Sequence, residues 1–154
     1  MAGIIDARLS ELGLTLPNAA APAANYVPTV ISGSMLYISG QIPMGPNGLE
    51  FVGKLGDTMD VETGAAAAKL CAINIIAQAK AALGDLDRVG RIVKLVGFVN
   101  STADFTDQPK VINGASDLMV EVFADKGRHA RSAVSAASLP FGVAVEVEAI
   151  IEIA

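Results

Sequence analysis

The chain has 154 residues, of which 52% are hydrophobic and only 18% charged, with a formal net charge of −5 and a pI near 4.7. That length suits one domain, which would bury roughly 68–70% of its unfolded surface, and a charged fraction below the usual level of about 25% leaves apolar surface for an oligomer to cover. The acidic balance excludes a protein that follows nucleic-acid phosphates with a cationic footprint, and one cysteine with one histidine excludes both an intrachain disulfide and a conventional zinc site.

The lone cysteine also points to a reducing cytoplasm. The first residues have no basic region, and Asp6, Arg8 and Glu11 interrupt any apolar core of a secretion signal. Leu12 to Leu49 carries no charge, yet Pro17, Pro22 and Pro28 divide it into pieces too short to cross a membrane as a helix. Residues 3–12 read as a short amphipathic helix with Ile4, Ile5, Leu9 and Leu12 at helical spacing, and Pro17 to Ala24 reads as a linker.

Two strands follow, Tyr26–Ser32 and Met35–Ile42, joined by Gly33-Ser34, whose leading glycine predicts a type II′ hairpin. Pro28 confines the first to an edge or a bulge. Asp57 and Thr58 are candidate N-caps of a long alanine-rich helix ending at Gly84. Arg91 to Val99 is the next strand, with Val93, Leu95 and Val99 expected on one face and Ile92, Val96 and Phe98 on the other. A second helix has Pro109 in its first turn, Val111, Ala115, Leu118 and Val122 as its inner stripe, and Gly127 as its end.

Arg131–Ser138 and Val143–Ile153 are expected to close the chain as a hairpin around Leu139-Pro140-Phe141-Gly142. Every odd position from Val143 to Ile153 is apolar, whereas the even ones include Glu146, Glu148 and Glu152. A period of two sends the glutamates to one face. Across such a hairpin Arg131 and these carboxylates could meet. The order β-β-α-β-α-β-β implies a mixed sheet with two right-handed crossovers and both helices on one face. The other face, crossed by an apolar central strand, then needs a second subunit to cover it.

Other chemistry is sparse. Gly53-Lys54 lacks the context of a phosphate loop, and His129 near Ser132 lacks the third group and the elbow of a nucleophilic triad. Cys71, mid-helix among apolar residues, reads as an inert small hydrophobe. Glu146 and Glu148 by spacing alone fit an ordinary solvated sheet face, and Asn113 an ordinary exposed helix position.

Read together, Ser39-Gly40-Gln41-Ile42-Pro43, Ala130-Arg131-Ser132, Leu139-Pro140 and Val145-Glu146-Val147-Glu148-Ala149 resemble the YjgF/RidA family, also labelled L-PSP endoribonuclease-like. Tyr26 stands at the family's distance before Ser39, and Asn113 fits a family asparagine with one residue inserted before Arg131. The likeness runs from about Ala21 to the end, with residues 1–20 as an N-terminal extension to a single domain. It implies an α+β, chorismate-mutase-like fold with a mixed sheet and two helices on one face. It also implies a homotrimer with clefts between subunits, and no metal or organic cofactor.

Members hydrolyse enamines and imines such as 2-aminoacrylate to 2-keto acids and ammonia. By that likeness Arg131 grips the substrate carboxylate, Glu146 activates water, the backbone at Ala133 holds the iminium or the water, and Tyr26, Ser39 and Asn113 line the cleft. The partners implied are a small imine or keto acid and two further copies of the chain, with neither a membrane nor nucleic acid. A trimeric binding module for carboxylate metabolites is the alternative; ribonuclease action fits the acidic charge poorly. The family's frequent cysteine two residues after the arginine is Ala133 here, which removes a thiol nucleophile, and His129 stands where many relatives carry proline.

Overall fold

A computed structural model describes residues 3–21 and 24–154. Pro22 and Ala23, part of the linker expected over 17–24, lie outside the described residues. Helix α1 (Ile4–Glu11) is followed by β1 (Thr29–Ser32), β2 (Met35–Gln41) and a small ribbon of β3 (Met44–Gly45) and β4 (Gly48–Leu49). Then come α2 (Val61–Leu83), β5 (Val89–Asn100), α3 (Gln108–Phe123), β6 (Ala130–Ala136) and β7 (Val145–Ile153).

The five long strands form one mixed sheet in the order β1-β2-β7-β5-β6. Crossovers through α2 and α3 make β2, β5 and β6 run parallel, and β7 is antiparallel to both its neighbours. The expected final hairpin is therefore wrong: β7 does not touch β6 but fills the gap that the first crossover leaves between β2 and β5. The reason is visible at Asn100, the last residue of β5. Its amide nitrogen donates to the Val143 and Gly53 carbonyls at 3.1 and 3.2 Å, and its backbone N–H donates to Ala144 O at 2.8 Å. These bonds carry the link from β6 across the end of β5 and deliver it to the far side.

The Gly33-Ser34 loop forms as expected, with Gly33 at φ 61° and Ser32 paired to Met35. Helix α2 begins later than the sequence suggested. Residues 54–59 form a turn on Lys54 O, and Asp60 caps the helix by accepting the Thr63 N–H at 2.8 Å. The Thr63 hydroxyl and then this backbone N–H hold the Asp60 carboxyl below its usual range.

The alanines of α2 serve a close helix crossing. A Cβ at Gly114 of α3 would run into the backbone of Ala65, so only glycine fits there. By length and hydropathy α2 could span a bilayer, but its apolar residues pack into the core against α3 and the sheet. Leu36, Ile75, Leu95, Ile112 and Ile151 are fully buried there. Truncating any of them to alanine would cost about 2–5 kcal/mol.

Helices cover one sheet face, onto which Val145, Val147, Ala149 and Ile151 point. Ile92 lies on that face as well, against expectation, because β5 bulges between Ile92 and Lys94 and so changes phase. The other face stays open and carries Val30, Tyr37, Val96, Phe98, Val134 and Ile150 beside Glu146 and Glu148. Val30 is 52% exposed and Val134 46%, an apolar surface wide enough to call for a cover.

Helix α1 has no cap of its own. Asp87 supplies one from the turn before β5, accepting the backbone N–H groups of Ile4 and Ile5, each at 2.9 Å. These two bonds depress the Asp87 carboxyl pKa, and Lys80 pairs with Asp6 at 2.8 Å. From there the chain runs on to one wall of the cleft described next.

Candidate active site

Glu146 sits on the open face of β7, half-buried, beneath the point where β2 bulges between Ile38 and Gln41. The bulge contains Gly40, and a Cβ there would overlap the Glu146 carboxylate. Any side chain there would have to displace the acid, which lies directly over the backbone. Burial raises the Glu146 pKa above the ordinary carboxylate value, and the like charge of Glu148 on the same face adds to the rise.

Glu146 opens into a cleft of about 570 Å³ that Tyr26 and Ser39 also line, so three of the residues singled out in the sequence share one cavity. Phe141, 74% exposed, stands at its rim in the left-handed conformation with φ 59°. A shallower hollow of about 270 Å³ on the same face lies beside Tyr37, Lys94 and Glu148. Cys71 lies buried beneath β7, with Sγ 3.6 Å from Val145 O, and burial holds its thiol neutral. Among the described residues no group of three metal-ligating side chains occurs.

Arg131 lies elsewhere. In the parallel β5–β6 pair it stands beside Leu95, which faces the helices; Glu146 stands beside Phe98 on the other face. One intervening strand, β5, and one sheet thickness separate them, so the expected meeting across a hairpin does not occur within one chain. Arg131 turns instead toward α3, where its Nη1 donates to Asn113 Oδ1 at 2.8 Å and to Ser116 Oγ at 3.2 Å. Asn113 and Ser116 are three residues apart and so share one helix face. Ala133, two residues beyond Arg131, keeps to the same side of β6.

Sequence reasoning missed Ser116 and set His129 aside. Ser116 Oγ is 2.9 Å from His129 Nε2, and His129 Nδ1 is 2.6 Å from Gly127 O. A neutral imidazole satisfies every partner. Nδ1–H donates to the Gly127 carbonyl, Nε2 accepts the serine hydroxyl, and the serine oxygen accepts from Arg131. The signal available in the sequence was the spacing of Ser116 from Asn113 on the polar side of α3.

Residues 6–153 match the profile of the family described as "YjgF/chorismate_mutase-like, putative endoribonuclease". This chain belongs to the YjgF/chorismate-mutase-like family. Protein TCP17 of Trypanosoma cruzi, 54% identical over 152 residues, aligns with 98% of the chain and 95% of its own length. The crystal structure of Atu1372 from Agrobacterium tumefaciens, described as of unknown function, superposes with a TM-score of 0.91 at 53% identity, covering 97% of this chain and 92% of that one. Escherichia coli TdcF with bound serine superposes with a TM-score of 0.63 at 32% identity, covering 88% and 93%. The α+β fold with its mixed sheet, expected from the YjgF/RidA resemblance, is thus the fold of this chain.

Proposed function

We propose that the protein hydrolyses reactive 2-imino acids and their enamine tautomers to 2-keto acids and ammonia, in clefts between the subunits of a cytoplasmic homotrimer. The observation that carries this reading is the state of Arg131. It is half-buried, held from one nitrogen by Asn113 and Ser116, and has no acidic partner among the described residues. A guanidinium fixed in this way and left unneutralised suits a guest carboxylate, which it can bind through two parallel hydrogen bonds. The serine bound to the related TdcF is a small molecule of that kind.

The arginine half and the glutamate half lie on opposite faces of the sheet, so a complete site needs the arginine of one copy against the glutamate of another. The apolar open face supplies the surface on which copies would pack. Once assembled, Arg131 holds the carboxylate and thereby places the imine carbon. Glu146, with its pKa raised toward working pH, takes a proton from water as the water oxygen bonds to that carbon. From the protonated imine this gives a neutral carbinolamine; Glu146 returns the proton to its nitrogen and takes up the hydroxyl proton as the C–N bond breaks and C=O forms, and keto acid and ammonia leave. The backbone at Ala133 would hold the iminium or the water, with Tyr26, Ser39 and Asn113 around it.

Ribonuclease action, which the family's description suggests, has less support: among the described residues of one chain no lysine, arginine or histidine lines the cleft that contains Glu146, and the assembly proposed above would add only Arg131. Complementation tests the whole reading. Arg131→Ala and Glu146→Gln are each expected to lose release of keto acid from 2-aminoacrylate generated by a dehydratase. Unfolded and reassembled together in equal amounts, they should recover about a quarter of wild-type activity, because one interface in four then pairs two intact halves. Recovery of none would refute a site shared between copies. Wild type no faster than either variant, but still binding keto acids, would leave a carboxylate-binding module.

A further inference from the structure

We propose that Ser116 and His129 are positioning residues that turn the Nε–Nη2 edge of Arg131, and no other, toward the guest carboxylate. The proposal rests on the reading of Arg131 as the carboxylate grip and adds the residues that set its aim. A guanidinium can hold a carboxylate by two edges, end-on through Nη1 and Nη2 or side-on through Nε and Nη2. The two edges send the bond that leaves the carboxylate in different directions, and so place the imine carbon differently.

Nη1 of Arg131 meets two acceptors, Asn113 Oδ1 at 2.8 Å and Ser116 Oγ at 3.2 Å. Its two hydrogens are spent on them, which closes the end-on edge. Nε and Nη2 make no hydrogen bond among the described residues, so the side-on edge stays open.

Ser116 holds Nη1 only while a lone pair of its oxygen points that way. A serine hydroxyl rotates, and left to itself it donates elsewhere as readily as it accepts. His129 removes that freedom. The hydroxyl donates to Nε2 at 2.9 Å, which leaves the serine oxygen as an acceptor for Arg131. The ring is held in turn, because Nδ1 lies 2.6 Å from Gly127 O. That carbonyl belongs to a turn pressed so closely on α3 that a Cβ at Gly127 would overlap the Met119 carbonyl. Direction is handed from backbone to imidazole, from imidazole to hydroxyl and from hydroxyl to guanidinium. The guest is thereby spared the cost of ordering a long side chain.

The chain has a single histidine, so NMR reads its ring nitrogens without ambiguity. In the neutral ring Nδ1 should carry the proton and Nε2 none, and the opposite tautomer overturns the relay. Added 2-oxobutanoate should shift the Arg131 Nε–H resonance, identified by its loss in Arg131→Ala; an unshifted Nε–H means an end-on grip and overturns the proposal. Calorimetry with the same keto acid tests the coupling. Ser116→Ala and His129→Phe should each weaken binding by about threefold to tenfold, as the loss of one hydrogen bond implies. The double variant should bind no more weakly than Ser116→Ala alone, because the histidine acts only through the serine. Losses that multiply, or no loss in His129→Phe, overturn the proposal. Should the phenylalanine variant not fold, His129→Gln decides: it offers the serine an amide oxygen in place of Nε2 and should bind within about twofold of wild type, whereas a tenfold loss overturns the relay. Arg131→Ala separates the two readings. If it binds as tightly as wild type, the imine site falls and the relay with it; if it binds poorly while the Ser116 and His129 variants bind normally, the relay alone falls.

Discussion

The two halves of the candidate site are held by different means. Glu146 is positioned by backbone: a central strand, a bulge above it, and a glycine that leaves room for the carboxylate. Arg131 stands on the edge strand β6 and is positioned by side chains, through Asn113, Ser116 and, at one remove, His129. A backbone cradle moves only if the sheet moves. A side-chain relay can be dismantled one hydrogen bond at a time. Substitutions around the acid should therefore act on turnover in large steps, and those around the arginine on affinity in small ones.

The largest effect is expected for Glu146→Gln, which removes the base and should lower kcat by about 10²–10⁴-fold with KM little changed. The same variant sharpens the contrast through pH. Because the folded state raises this pKa, ionising Glu146 opposes folding. The stability it contributes is complete below the ordinary carboxylate range and is lost as pH rises through the raised value. Glu146→Gln should thus melt higher than wild type at neutral pH and match it in acid, as thermal scans at the two pH values would show. Wild-type turnover should fall on acidification at a pH above the ordinary carboxylate range.

Gly40→Ala comes next. A methyl group there pushes the carboxylate aside without removing it, so turnover should drop about tenfold while keto-acid affinity, measured by calorimetry, holds. The smallest effect belongs to the arginine side. Ser116→Ala removes one of two anchors on Arg131 and should raise KM by roughly threefold to tenfold at constant kcat. A comparable fall in kcat would mean that the relay shapes the chemistry as well as the grip.

Much of this was legible from residue patterns, and the failures have physical causes. The odd-even alternation of β7 separated glutamates from core residues correctly, and the α3 stripe of Val111, Ala115, Leu118 and Val122 is buried as expected. Strand order was not legible. Eight residues between β6 and β7 are enough for a hairpin, and only Asn100 reveals that they step across β5 instead. That one misplacement also put Arg131 and Glu146 on the same face. Bulges were equally invisible: periodicity assigned Ile92 to the open face, and one irregular residue pair reversed it. The relay from Ser116 to His129 depends on a contact between a helix and the turn beyond it, which local spacing does not encode.

The single thiol makes the molecule its own reporter. Cys71 lies under the strand that carries Glu146, protonated and shielded, so an alkylating reagent can reach it only when β7 lifts from α2. The rate at which iodoacetamide consumes that sulfur is a clock for how often the floor of the cleft opens, and a carboxylate guest that pins the floor should slow it.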